Sequence, residues 1–191
     1  MSHPPRPIQA LVRLGHIESD RLGTLLDAYK TDQAQYQVEG VALPDPLANQ
    51  PATKYVVELL PRFLRRVARI EAKVGDVTPY RGELECADIK VSIAIKGVRS
   101  LEVALVADLP FAEALAVAAS GLSRADIDPE MIADGVGALL NVLGGNAVSA
   151  VAKGDHRVEL GPPDYDASLV DGWRVDLAVG VGTASLVLST F

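Results

Sequence analysis

From Lys54 to the C-terminus the apolar positions follow two periods, one near 3.6 residues and one of two, and each change of period marks out an element. YVVELLPRFLRRVARIEAKVG keeps helical spacing and predicts a helix ending at Gly75, with Pro61 either kinking it or marking its start. DIKVSIAIKG and RSLEVALVAD alternate with period two and predict a hairpin joined through Gly97 and Val98. FAEALAVAASG reads as a short helix closed by Gly121. SRADIDPEM leads into a long helix, with Asp128 as its cap, Pro129 in its first turn and Glu130 after it. HRVEL predicts a brief strand ended by Gly161, Pro162 and Pro163, and WRVDLAVGV with TASLVLSTF predicts a second hairpin turning near Gly182. The order is αββααβββ. Helices set between strand pairs imply an α+β domain, an antiparallel sheet with long helices packed on one face.

Residues 1–52 break this regularity. A Pro-rich start is followed by one short helical pattern, at Leu22, Leu25, Leu26 and Tyr29, and then by the breaker-rich ALPDPLANQP. They read as an N-terminal extension and linker whose role is not legible, and residues 53–191 as the domain.

The long helix has an unusual polar side. Within DGVGALLNVLGGNAVSAV, residues 134–151, Val136, Leu139, Leu140, Leu143, Ala147, Ala150 and Val151 fall on one broad apolar face. Opposite lie Asp134, Ala138, Asn141 and Gly145, flanked by Gly137 and Gly144. A solvated face would carry Glu, Lys and Arg, and each interior glycine costs about 1 kcal/mol relative to alanine. So smooth and nearly uncharged a stripe predicts that something approaches it closely.

Composition narrows what that could be. Hydrophobic residues make up 49% of the 191-residue chain, enough for one well-buried domain. The net charge of −7 argues against nucleic acid and against an anionic membrane, since both demand concentrated positive charge. No uninterrupted apolar run nears the roughly 20 residues of a membrane span, and a cytoplasmic location is expected. The single cysteine, Cys86, excludes an internal disulfide, and His3, His16 and His156 are too scattered to predict a metal site.

From about Lys54 onward the chain resembles the CheX-like chemotaxis phosphatase domains, relatives of CheC and FliY. The likeness rests on the element order, on GVRSLEVALVAD followed by a helix ending AASG, and on DGVGALLNVLGGNAVSAV followed by VELGPP. On the corresponding helix that family carries an Asp or Ser, a Glu four residues on, an Asn three further, and a Pro downstream. Asp134, Asn141, the GGNA at 144–147 and Pro163 match this pattern, and Ala138 stands where the Glu belongs. The resemblance implies a CheY-like response-regulator receiver as partner and hydrolysis of its aspartyl phosphate. In that chemistry the receiver supplies Mg²⁺ and a lysine, so the chain needs no cofactor of its own and positioning is what remains. By resemblance Asn141 is the catalytic residue, its carboxamide aligning water with the phosphorus without adding charge. Asp134, Ala138, Gly145 and Pro163 then belong to the docking surface. The family's Glu pairs with the receiver's lysine; Ala138 removes that pair, which implies weak activity or reliance on another acid, Asp134 first.

Each residue also has a plainer reading. Asn141 is equally a polar residue facing solvent, Gly144 and Gly145 serve close packing, and Asn146 ties down backbone near the helix end. Asp134 suits the helix dipole, and Pro163 ends a strand in any fold. The basic row Arg62, Arg65, Arg66, Arg69 and Lys73 is either a solvated helix face or a complement to an acidic receiver pocket. Cys86 reads as a small buried hydrophobe, and Trp173 as an anchor of the core or of a subunit contact. Three functions stay open: an aspartyl-phosphate phosphatase in two-component signalling, a non-catalytic interaction module using the same surface, and a structural protein whose stripe forms a homodimer contact.

Overall fold

The computed structural model describes residues 41–82, 87–97, 99–152, 157–167 and 171–191, together with Thr24. The short pattern at Leu22, Leu25, Leu26 and Tyr29, the three histidines, Cys86 and Val98 lie outside the described residues. The chain divides into two units, and every element named here belongs to the second, Val38–Phe191.

Its elements are α1 (Asp45–Ala48), α2 (Pro51–Phe63), β1 (Ala72–Arg81), β2 (Ile89–Lys96), β3 (Leu101–Ala107), α3 (Leu109–Ser120), α4 (Pro129–Val151), β4 (Glu159–Leu160), β5 (Asp171–Val179) and β6 (Ala184–Thr190). Six strands form one sheet in the order β1-β5-β6-β3-β2-β4. Every pairing is antiparallel. The expected α+β architecture is therefore present. Both hairpins form, with Gly182 at φ 61° in the turn between β5 and β6, and Gly121 at φ 71° closes α3.

The first long helix differs from expectation. The helix predicted to reach Gly75 stops at Phe63, passes through a π turn over Leu64–Ala68, and ends on Arg69 in the left-handed region at φ 54°. The next element is β1, paired with β5, so Gly75 sits inside a strand. Pro61 neither starts the helix nor ends it; the start is Pro51, and Pro61 is buried in the last helical turn. The arginines mask the change of period, because Ile70, Ala72 and Val74 already alternate with period two and pack on the core.

The sheet's two faces divide the labour. Val91, Ile93 and Ile95 of β2, Val103 and Leu105 of β3, Val175 of β5 and Leu186 and Leu188 of β6 point to one side, where they meet Val56 and Leu60 of α2, Phe111 and Leu115 of α3, and Leu140 and Leu143 of α4. Burying each such Leu or Ile stabilises the fold by about 1.5–3 kcal/mol. On the other side Ala104 and Val187 are buried with Tyr80 and Val106 against them. There Ser92 donates to Glu102 at 3.0 Å and Ser185 to Asp176 at 3.2 Å, so these two hydroxyls are satisfied.

The packed unit also begins earlier than residue 53. Leu47 of α1 is fully buried in the core, and Gln50, 4% exposed, donates through Nε2 to the Arg99 carbonyl at 2.5 Å. ALPDPLANQP, expected as linker, therefore adds a helix and a buried anchor. Its two flanking prolines suit that role, since Pro44 stands at the cap of α1 and Pro51 opens α2.

Candidate functional site

The site is built on α4. Asp128 caps it, its Oδ1 accepting the Met131 N–H at 2.8 Å, and Pro129 occupies the first turn where no hydrogen bond is lost. Ile132, Val136, Leu139, Leu140, Leu143 and Ala147 are buried, and the helix packs on α2, α3 and β2. Among the described residues α4 alone is long and apolar enough to cross a membrane, and here those apolar residues are spent on the core. Asp134, Ala138 and Asn141 are exposed and Gly145 is half-buried, as the 3.6-residue period requires.

The glycines divide into two groups. A Cβ on Gly135 would lie 3.1 Å from the Ala116 Cα, so this residue sets how closely α3 and α4 approach. A Cβ on Gly144 would lie 2.5 Å from Ile93 Cδ1 and 2.6 Å from Leu160 Cδ1, and one on Gly137 would lie 2.7 Å from the Tyr165 hydroxyl. Gly137 and Gly144 thus admit the chain's own segment 160–165. Gly145 faces open space.

That segment is strapped to the edge of β2. Leu160 pairs with Ile95, the Gly161 N–H donates to the Ala94 carbonyl at 2.8 Å, and Asp164 and Ser92 exchange two backbone bonds of 2.8 Å. Pro162 and Pro163 sit between these anchors, where a missing N–H costs the ladder nothing, and Pro163 is half-buried. Tyr165 then crosses back to α4, its hydroxyl donating to Asp134 Oδ1 at 3.0 Å. Burial, the hydrogen bond to Asp134 and the Asp134 charge all push the Tyr165 hydroxyl above its ordinary range, so it remains a donor.

Asp134, Ala138, Asn141, Gly145 and Pro163 therefore lie on or beside one surface, and Tyr165 joins them. The Asn141 carboxamide makes no hydrogen bond among the described residues. Asn146, by contrast, donates to the Val142 carbonyl of its own helix at 2.7 Å, in line with its plainer reading. Exposed Met131 and Val142 flank the polar positions with apolar surface. The basic row is not one row. Arg62 lies in α2, Arg65 and Arg66 in the π turn, Arg69 at its end and Lys73 in β1, while Arg65 pairs with Glu71 at 3.5 Å.

The antiparallel sheet with helices packed on one face is the fold of the CheX-like chemotaxis proteins. The chemotaxis protein CheX of Desulfovibrio desulfuricans superposes with a TM-score of 0.60 at 16% identity, covering 73% of this chain and 99% of that one. CheX of Vibrio vulnificus gives a TM-score of 0.61 at 16% identity, again over 73% of this chain and 99% of that one. A CheX–CheY–BeF3–Mg²⁺ complex from Borrelia burgdorferi gives a TM-score of 0.54 at 16% identity, covering 72% and 96%. No protein-family model matches the sequence, and no curated protein does.

Proposed function

We propose that the α4 face docks on a phosphorylated CheY-like receiver and that Asn141 enters its phosphate site. The observation that carries this reading is an exposed, uncharged carboxamide on a helix face cleared of bulk, with Ala138 before it and Gly145 open after it. A carboxamide offers a donor and an acceptor without charge, so it holds a water near a phosphoryl group without repelling the anion. Catalysis of this kind asks the chain only to position that water. Mg²⁺ and the lysine that neutralises the phosphate belong to the receiver, and the chain itself contributes no cofactor. The complex of a protein of the same fold with CheY supports the choice of partner. On this reading the chain acts in cytoplasmic two-component signalling, with neither nucleic acid nor membrane as partner.

Ala138 favours a second reading, a binding module that recognises the receiver without accelerating hydrolysis. A methyl group forms no ion pair, and the lost carboxylate is the contact that fixes docking register in the family this chain resembles. Phosphate release from a phosphorylated receiver separates the two. Ala138→Glu is expected to raise turnover about ten- to a hundredfold, the equivalent of one desolvated charge-assisted contact worth about 1.5–3 kcal/mol. Adding Asn141→Ala to that variant should return the rate to that of the receiver alone. Persistent binding without activity in any variant would establish the non-catalytic module. The homodimer reading is weakened because Gly137 and Gly144 are filled by Tyr165 and Leu160 of the same chain.

A further inference from the structure

We infer that Asp134, held by Tyr165, is the carboxylate that meets a cationic side chain of the docked partner, in place of the one that Ala138 does not supply. This deepens, and rests on, the receiver-docking reading. Asp134 is exposed on the same face as Asn141, and Ala138 lies between them. Along the helix axis Asp134 and Ala138 are about 6 Å apart, and Asp134 and Asn141 about 10 Å. Ala138 is exposed and carries only a methyl, so its own side chain puts no bulk between carboxamide and carboxylate.

Tyr165 is the positioning residue. Its hydroxyl donates to Oδ1 at 3.0 Å, and Oδ2 makes no hydrogen bond among the described residues. One oxygen is fixed and the other is available to a cation. Fixing the side chain in advance removes part of the ordering cost that an exposed Asp would meet on pairing. Two further features suit this role. Gly137, next to Ala138, admits the Tyr165 hydroxyl where a Cβ would lie 2.7 Å from it, and Asp164 anchors the strap just before Tyr165 to Ser92 by two 2.8 Å bonds. The tyrosine also stays protonated, because burial and the Asp134 charge disfavour its anion.

The test is calorimetric titration of a CheY-like receiver loaded with beryllium fluoride and Mg²⁺ against wild type, Asp134→Asn, Tyr165→Phe and the double variant, at low and high ionic strength. Asp134→Asn is expected to weaken binding about three- to tenfold at low salt, with a shallower salt dependence than wild type. Tyr165→Phe should cost about two- to threefold in the wild-type background and nothing in the Asp134→Asn background, since a positioning residue has no effect once its target is gone. An equal Tyr165→Phe penalty in both backgrounds would reduce the tyrosine to packing and overturn its role. Wild-type affinity in both single variants, with Asn141→Ala still weakened, would overturn this inference while leaving the docking reading intact. Failure of wild type to prefer the loaded receiver would remove both.

Discussion

Asp108 joins two parts of the fold with a single side chain. Its Oδ1 accepts the Phe111 N–H at 3.0 Å and caps α3, while Oδ2 accepts the Thr183 N–H at 2.8 Å and the Thr183 hydroxyl at 3.0 Å, tying the helix start to the β5–β6 turn. Burial pushes its carboxyl up, but the bonds from Phe111 and Thr183 outweigh burial and hold it below its ordinary value. A depressed carboxyl stabilises the fold above its unfolded-state value of about 4 and loses that contribution as pH falls through the folded value. Asp108→Asn keeps an oxygen for Phe111 but turns an amide toward two Thr183 donors. The variant is expected to melt below wild type at neutral pH, with the gap closing as the pH falls below about 4. A gap independent of pH in thermal melts would show that the charge is not its source. Single residues also show what a sequence pattern can carry. Exposure of Asp134, Ala138 and Asn141 is legible from helical angle alone. The partnership of Asp134 with Tyr165 is not, because it depends on how a loop far along the chain returns across the helix.

At the scale of elements, α4 contains two glycines with opposite expected responses. Gly145 faces open space, so Gly145→Ala should gain about 0.5–1 kcal/mol of helix propensity. Gly135→Ala should destabilise, because its methyl meets the Ala116 backbone at 3.1 Å and α3 and α4 must part to admit it. Chemical denaturation of both variants checks the pair, and equal responses would contradict this division between an open and a packed glycine. Periodicity locates α3, α4, β2, β3, β5 and β6 because each keeps one period throughout. It misses β1 for a physical reason. A ten-residue edge strand with a bulge between Val74 and Val77, followed by Pro79, keeps too little alternation to outweigh a preceding run of arginines at helical spacing.

For the whole molecule, the boundary of the packed unit matters first. Residues 41–191 are expected to melt cooperatively, whereas residues 51–191 lose Leu47 and the Gln50 bond to Arg99. Removing a fully buried leucine costs about 2–5 kcal/mol, and each kcal/mol moves the melting temperature of a domain this size by about 2–4 °C. The shorter fragment should therefore melt several degrees lower; identical melting curves would return ALPDPLANQP to the status of a linker. Composition could not reveal this, since a short helix between prolines looks like a linker until its one leucine is seen in the core.

The fold, the capped helix and the strap converge on one surface, and what that surface recognises is open to direct measurement. A CheY-like receiver, prepared once at rest and once loaded with beryllium fluoride and Mg²⁺, is titrated into the chain by calorimetry. If Asn141 enters an occupied phosphate site, the loaded receiver binds more tightly, and Asn141→Ala removes part of that preference without lowering the melting temperature. Equal affinity for the two forms, or a preference that survives Asn141→Ala unchanged, would contradict receiver docking through this face.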